Sequence, residues 1–515
     1  MLGKRQPPAT IAKAPKGIWK VIFASSAGTL IEWYDFYIFG SLAAVIATKF
    51  FPQNNPTAAF LSTLATFAAG FVVRPFGALV FGRLGDLIGR KYTFMLTLVL
   101  MGGATFLIGC VPGYETIGFG APLLVLLLRL AQGLALGGEY GGAATYVAEH
   151  APDHQRGYWT SWIQTTATVG LFISLIVILI TKTALSKDAF DEWGWRVPFW
   201  LSILMVLVSY LIRRNMHESP LFAKAKAEGK TSANPLKESF GNKYNLKFVL
   251  LALFGAAMGQ GVVWYTGQFY ALSFLQKTCN IESAQTDSLI AIALLMGTPF
   301  FIVFGWLSDK IGRKQIMMAG MLVAIIAYRP IYKAMYGISD VKSKSGIVQD
   351  VKDEISTKVA DNGDSVFHFN KVTTYADGTT YGLDSSVVVH ANVAAEKTPA
   401  KIVKSVTLNP SDKWKMVLLV WVQVIFVTMV YGPIAAFLVE MFPTKIRYTS
   451  MSLPYHVGNG IFGGLLPTVA VYLASKAKDG GNPEWYLQGL WYPIIIAGVS
   501  LVIGLLYINS KRKVE

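Results

Sequence analysis

The stretch Gly82–Tyr92, "GRLGDLIGRKY", lies between two long apolar runs. Two hundred and twenty-three residues later, Gly305–Gln315 reads "GWLSDKIGRKQ" between two more. Gly82, Asp86, Gly89, Arg90 and Lys91 thus correspond to Gly305, Asp309, Gly312, Arg313 and Lys314. A second pair of strings repeats at an offset of 291: "EHAPDHQR" carries Glu149, Pro152 and Arg156, and "EMFPTKIR" carries Glu440, Pro443 and Arg447. The 68-residue difference between the offsets measures an insertion between the two landmarks of the second half. Two matches in the same order imply that the chain is built from two related halves.

Composition says what surrounds them. Of 515 residues, 53% are hydrophobic and only 15% charged, and the mean hydropathy is +0.45. A soluble chain carries about a quarter charged residues. Apolar runs long enough to cross a ~30 Å hydrocarbon layer recur near 19–48, 60–81, 92–112, 121–148, 157–182, 195–213, 247–276, 286–307, 315–337, 413–440, 449–474 and 485–508. The expected fold is an all-α membrane protein of twelve transmembrane helices in two six-helix halves. The first half is 19–213, and the second is 247–337 with 413–508. A tail at 1–18, a linker at 214–246 and a tail at 509–515 complete the basic side.

The net charge of +16 does not indicate nucleic acid, because of where it lies. Lys and Arg cluster before the first run (Lys4, Arg5, Lys13, Lys16, Lys20) and after the even-numbered ones, as at Arg90 and Lys91, Arg213 and Arg214, Arg313 and Lys314, and Lys445 and Arg447. Positive loops mark the cytoplasmic side, so both termini are expected there, in a bacterial inner membrane. Glu32 and Asp35 in the first run, with no small-residue cleavage site, argue against a cleaved signal peptide. Two cysteines, Cys110 and Cys279, exclude a disulfide framework. His150 and His154 flank Pro152 and are read as no metal site. Nucleophile-elbow, phosphate-loop and zinc-protease motifs do not occur in the sequence, so neither an enzyme nor an ATP-driven pump is expected.

Residues 338–412 form the insertion, which follows an odd-numbered span and should face outward. Asp377-Gly378 and Asn362-Gly363 are two-residue hairpin signals, and "SSVVVHANV" reads as a strand. A small β-rich domain is expected.

The chain resembles the major facilitator superfamily, and within it the bacterial metabolite:proton symporter branch. The carriers of that resemblance are "IEWYDFYIFG" from Ile31, "VVRPFGALVFGRLGD" from Val72, and "RLAQGLALGGEYGGAATYVAEHAPDHQRGYW" from Arg129. The resemblance implies alternating access and uptake of a small polar metabolite with protons. Substrates across the branch include citrate, 2-oxoglutarate and shikimate, and zwitterions such as proline and betaine. It implies that Gly82, Asp86, Gly89, Arg90, Asp309 and Arg313 are gating residues, with the first string tying the second span to the eleventh. It also implies that the first and fourth helices line a central cavity.

Buried charge points to the same place. Glu32, Asp35, Arg74, Arg129 and Glu139 lie inside the apolar runs, and the offsets map none of them onto a charge in the second half. Each costs roughly 2.5–3.5 kcal/mol at a helix centre, and such residues are usually functional. Asp35, Glu32 and Glu139 are candidates for proton coupling, and Arg129 and Arg74 for binding an anion. Arg129, Gln132, Leu136 and Glu139 share one helix stripe. The second half offers Gln260, Trp264, Gln268, Gln423, Tyr431, Tyr455 and Asn459 as polar and aromatic binding candidates, while His456 reads as structural. The favoured reading is a monomeric proton-driven carrier of an organic anion, with no cofactor beyond the proton gradient and with membrane lipid as its surroundings. A zwitterionic-osmolyte symporter, a passive facilitator and a transporter-like sensor are the alternatives.

Overall fold

A computed structural model of the chain describes residues 17–52, 56–215, 217–359, 365–389 and 401–508. Lys4, Arg5, Lys13 and Lys16, the 509–515 tail and the Asn362-Gly363 turn lie outside the described residues. Among the described residues, ten helices are long and apolar enough to cross a membrane: Arg90–Ile108, Gly120–His150, Asp153–Ala184, Gly194–Arg214, Lys243–Thr278, Ser283–Ile311, Arg313–Ser339, Pro410–Glu440, Arg447–Asp479 and Trp485–Tyr507. Two interrupted spans precede them. The first runs Ile18–Ser41 and, past a break at Leu42, Ala43–Phe50. The second runs Pro56–Val72 and Arg74–Leu87. It breaks just before Pro75, whose ring removes a backbone donor from the helix ladder.

The repeated string has a conformational cause. Gly89 and Gly312 adopt φ +128° and +120°, each immediately before the next span begins. A side chain is strained at these angles, so the short turn from the second span to the third, and from the eighth to the ninth, needs glycine. Spans 2 and 4 touch backbone to backbone. A Cβ on Gly77 would lie 1.9 Å from the Leu134 carbonyl oxygen, and one on Gly133 would lie 2.1 Å from that of Gly70. Small residues allow this approach where no hydrophobic force drives helices together.

Within the first half, span 4 packs on spans 1, 2 and 3, and span 10 packs on spans 8 and 9 in the second. The halves meet where span 2 packs on span 11 and span 5 on span 8. Span 7 differs from its counterpart, span 1. It contains three π-helical turns, Leu253–Ala257, Thr266–Tyr270 and Phe274–Thr278, a wide geometry that is frequent at functional sites.

The insertion is a four-stranded antiparallel sheet in the order β1 (Val348–Val359), β2 (Ser365–Tyr375), β3 (Thr380–Val389), β4 (Lys401–Thr407). Asp377-Gly378 does turn the β2–β3 hairpin, but in a three-residue loop and not the two-residue one expected. The Tyr375 N–H donates to the Thr379 carbonyl at 2.9 Å, and Gly378 takes the positive φ of +84°. Longer hairpin loops place their left-handed residue at this position. The sheet is anchored to the second half. Val406 exchanges backbone hydrogen bonds with Asn280 and Glu282 (2.7 and 3.0 Å). Lys344 Nζ reaches Asp377 Oδ2 at 2.5 Å and Asp412 Oδ2 at 2.7 Å, which joins the hairpin tip to the start of span 10.

Partial burial pushes the Asp377 carboxyl up, but bonds from Lys344 and the Thr379 N–H outweigh it and hold its pKa at about 2. A depressed carboxylate stabilises fully above its unfolded value, here 3.8, and that stabilisation is lost as pH falls through the folded one. Amides of the β2–β3 hairpin should therefore lose hydrogen-exchange protection between pH 4 and 2. Lys344→Gln should remove that pH dependence.

Candidate functional site

The i, i+3 spacing of Glu32 and Asp35 turns both carboxylates to one side of span 1, and each meets a cation. Arg129 Nη1 donates to Asp35 Oδ2 at 2.9 Å and to Gln132 Oε1 at 2.7 Å. Gln132 Nε2 donates to Asp35 Oδ1 at 2.9 Å and to Thr105 Oγ1 at 2.8 Å. Arg74 Nη1 donates to Glu32 Oε1 at 3.3 Å. The two guanidiniums also lie over rings, Arg129 at 4.1 Å from Phe39 and Arg74 at 4.2 Å from Phe71. These groups surround a cavity of about 10 Å³, room for about one water. The first half thus brings four of its five candidate charges, and Gln132, to one point.

Glu139 is elsewhere. It is fully buried, bonded to Arg213 Nη2 at 2.6 Å and Thr97 Oγ1 at 2.7 Å. Arg213 is not the surface cation its charge pattern suggests. It is fully buried and donates to the carbonyls of Ala24 (2.9 Å) and Phe94 (2.7 Å), tying spans 1, 3, 4 and 6. Gly28 leaves the space, since a Cβ there would lie 1.7 Å from Glu139 Oε1. One signal for Arg213 was present: Ser202, Val206, Ser209 and Arg213 form the buried stripe of span 6.

The second half supplies the opposite wall. Gln260 and Asn459 exchange amide hydrogen bonds at 3.2 and 3.0 Å. Tyr431 and Tyr455 share one at 2.7 Å, and Tyr140 of span 4 stacks on Tyr455 at 3.8 Å. Trp264 faces Trp33 across the interface at 5.1 Å. Gln268 lines a larger cavity of about 390 Å³ with Tyr37, Ser41 and Asp287, between spans 1, 5, 7 and 8 on the insertion side. Phe36 lines both cavities and meets Phe269 at 5.3 Å, so an aromatic partition separates them. Gln423 is not part of this wall. Its Nε2 donates to Leu419 O at 3.3 Å and faces Met335 of span 9.

On the basic side the halves are latched twice. Asp86 accepts the backbone N–H groups of Tyr448 (3.4 Å) and Thr449 (2.8 Å) at the start of span 11. Asp309 accepts those of Gly157 (2.9 Å) and Tyr158 (2.7 Å) near the start of span 5. The first N–H groups of a helix lack internal partners, and the helix dipole favours an anion beside them. Each aspartate also pairs with the arginine four residues on, Asp86 with Arg90 at 2.9 Å and Asp309 with Arg313 at 2.5 Å. The first latch is the more deeply buried. Asp86 and Arg90 side chains are 0% exposed, against 6% and 11% for Asp309 and Arg313. Glu149 adds a cross-half pair with Arg447 at 2.8 Å. Gly82 and Gly85 lie directly on Thr449 and Tyr448.

Two related six-helix halves, a buried charged cavity in the first of them and latches joining the halves at one end define a secondary transporter with the major facilitator fold. The chain belongs to the sugar (and other) transporter family, whose model matches residues 20–349. It is 30% identical over 504 residues to the alpha-ketoglutarate permease of Escherichia coli (strain K12), covering 98% of this chain and 96% of that one. It is 29% identical to the citrate-proton symporter of Salmonella typhi, covering 93% of both chains. It is 28% identical to the proline/betaine transporter of Salmonella typhimurium, covering 94% of this chain and 83% of the relative. The fold matches the solved proton:xylose symporter XylE bound to 6-bromo-6-deoxy-D-glucose, with TM-score 0.62, 16% identity and 95% of both chains covered. It is a multi-pass membrane transporter.

Two outcomes follow from the burial. Asp86→Asn should raise the population open on the basic side roughly tenfold, from the loss of charge-assisted bonds, and by more than Asp309→Asn. Thiol labelling of Ser452→Cys, in a chain lacking Cys110 and Cys279, reads this. Glu139→Gln leaves Arg213 buried without a carboxylate and should cost about 3–5 kcal/mol, seen as a lower Tm.

Proposed function

We propose that the protein is a proton-coupled symporter that imports a small organic anion, with the substrate carboxylate taking the place of Asp35 on Arg129. The observation that carries this is the 2.9 Å Arg129–Asp35 pair facing the cleft. A guanidinium presents a planar donor fork matched to a carboxylate. Protonation of Asp35 removes the negative charge beside Arg129, and a buried cation that loses its counter-charge costs about 3–5 kcal/mol. A substrate carboxylate removes that penalty, so proton and substrate are favoured together. Arg74 and Glu32 repeat the arrangement at a second position. The carboxylate-transporting relatives support the substrate class.

In this reading the basic side is cytoplasmic, with both termini there, in a bacterial inner membrane. The latched end then faces the cytoplasm and the larger cavity faces outward, as in a carrier loading from outside. The working unit is a monomer, and the proton gradient is the energy source, with no bound cofactor. A second reading, uptake of a zwitterion, is favoured by the Trp33–Trp264 pair beside the cleft, because aromatic faces bind quaternary ammonium groups. The proline/betaine relative agrees with it.

Reconstituted vesicles distinguish these readings. One proton moving down 100 mV supplies about 2.3 kcal/mol, or roughly 50-fold accumulation. Wild type should concentrate a labelled dicarboxylate only with an inward proton gradient, and Asp35→Asn should abolish accumulation. Arg129→Lys, which keeps the charge and loses the fork, should lower carboxylate uptake at least about tenfold with expression intact. Uptake limited to betaine-like solutes selects the second reading, and accumulation by folded Asp35→Asn refutes the coupling.

A further inference from the structure

A groove of about 460 Å³ runs along the basic end of the protein between the start of span 7 and the end of span 12. Lys243 and Lys247 stand at its mouth, one helical turn apart and both exposed. Below them the walls are apolar: Leu250 and Phe254 on span 7, Ile503 on span 12. Tyr507, 65% exposed, closes the mouth from the other side. Lys247 to Phe254 spans about 10 Å of helix, so the groove changes from cationic to apolar along the membrane normal.

Three other lysines on this side are committed. Lys314 donates to the carbonyls of Leu505 (2.9 Å) and Ile508 (2.7 Å), Lys91 donates to that of Arg214 (3.0 Å), and Lys445 pairs with Glu238. Among the described residues, no carboxylate lies within ion-pair distance of either Lys243 or Lys247. The apolar part of the groove lies at a depth where the bilayer supplies acyl chains. Exposed tyrosines at the same level, Tyr244 and Tyr507, suit the headgroup region. Basic pockets between membrane helices on the cytoplasmic side bind anionic headgroups.

We propose that this groove is a seat for one anionic diacyl phospholipid. Its phosphate is held by Lys243 and Lys247, and one acyl chain lies over Leu250, Phe254 and Ile503. The lipid bridges span 7, the most irregular helix of the second half, to span 12.

The test uses the full chain in phosphatidylcholine nanodiscs doped with phosphatidylglycerol, with retained lipid counted by native mass spectrometry. Wild type should keep one phosphatidylglycerol in preference to phosphatidylcholine. Lys243→Gln with Lys247→Gln should weaken that retention roughly 30-fold, from about 1 kcal/mol per surface cation. Lys224→Gln with Lys226→Gln, an equal charge change on the linker, should leave it unchanged. Leu250→Trp keeps both lysines, fills the groove and should also lose the lipid. Equal loss in the linker variant would reduce the effect to general surface charge and overturn the proposal. So would equal retention of phosphatidylcholine, or displacement of the lipid by soluble glycerol phosphate. Lys243→Gln with Lys247→Gln, at two exposed positions, decides the matter even if Leu250→Trp fails to fold.

Discussion

A guanidinium enclosed by helices in a membrane must keep a carboxylate beside it, and much of this molecule follows from that constraint. Arg129 has Asp35, Arg74 has Glu32, Arg213 has Glu139, and Arg90 has Asp86. Removing one member strands the other in a medium that solvates it poorly. All four pairs join different spans, so each is also a packing constraint. The Asp35–Arg129 pair lines a small cavity, and the Glu139–Arg213 pair is fully enclosed. Chemistry does not separate these two cases, and access to the cavity does.

The two latches show how a duplicated sequence becomes a two-state device. Asp86 lies in the first half and bonds to the second, and Asp309 does the reverse. The acceptors are related by the 223 offset and the donors, Gly157 and Tyr158 against Tyr448 and Thr449, by the 291 offset. The two repeats noticed as separate strings therefore contact each other in space. All four donors are backbone N–H groups near helix starts, so the bonds themselves do not depend on side-chain identity, while packing still fixes Gly157, where a Cβ would lie 2.5 Å from the Gly305 carbonyl oxygen. The difference in burial between the latches gives the symmetric frame a dominant side.

Among the described residues, the insertion is tied to the second half. Its contacts run to the connection between spans 7 and 8, through Val406, and to the start of span 10, through Lys344. An element fixed in this way moves with one half when the halves rock. It stands on the same side as the larger cavity.

The sequence alone determined the twelve apolar runs, the two-fold repeat, the basic side, the site of the insertion and five of the intramembrane charges. These are legible because hydrocarbon thickness dictates run length, burial makes charge rare, and a positive-φ turn demands glycine at both Gly89 and Gly312. The side on which Arg129 and Gln132 lie could be read from helix periodicity. Their partners could not, because pairing depends on which helices cross and at what height. Arg213 illustrates the limit: beside Arg214 at a helix end it reads as a surface cation, and only the packing of spans 1, 3, 4 and 6 encloses it. Gln423 illustrates the converse, an offset match to Gln132 that tertiary packing turns toward span 9 and away from the cleft. Tertiary structure alone decided which buried charges share a cavity, because pairing and access depend on distances of a few ångströms between segments far apart in the chain.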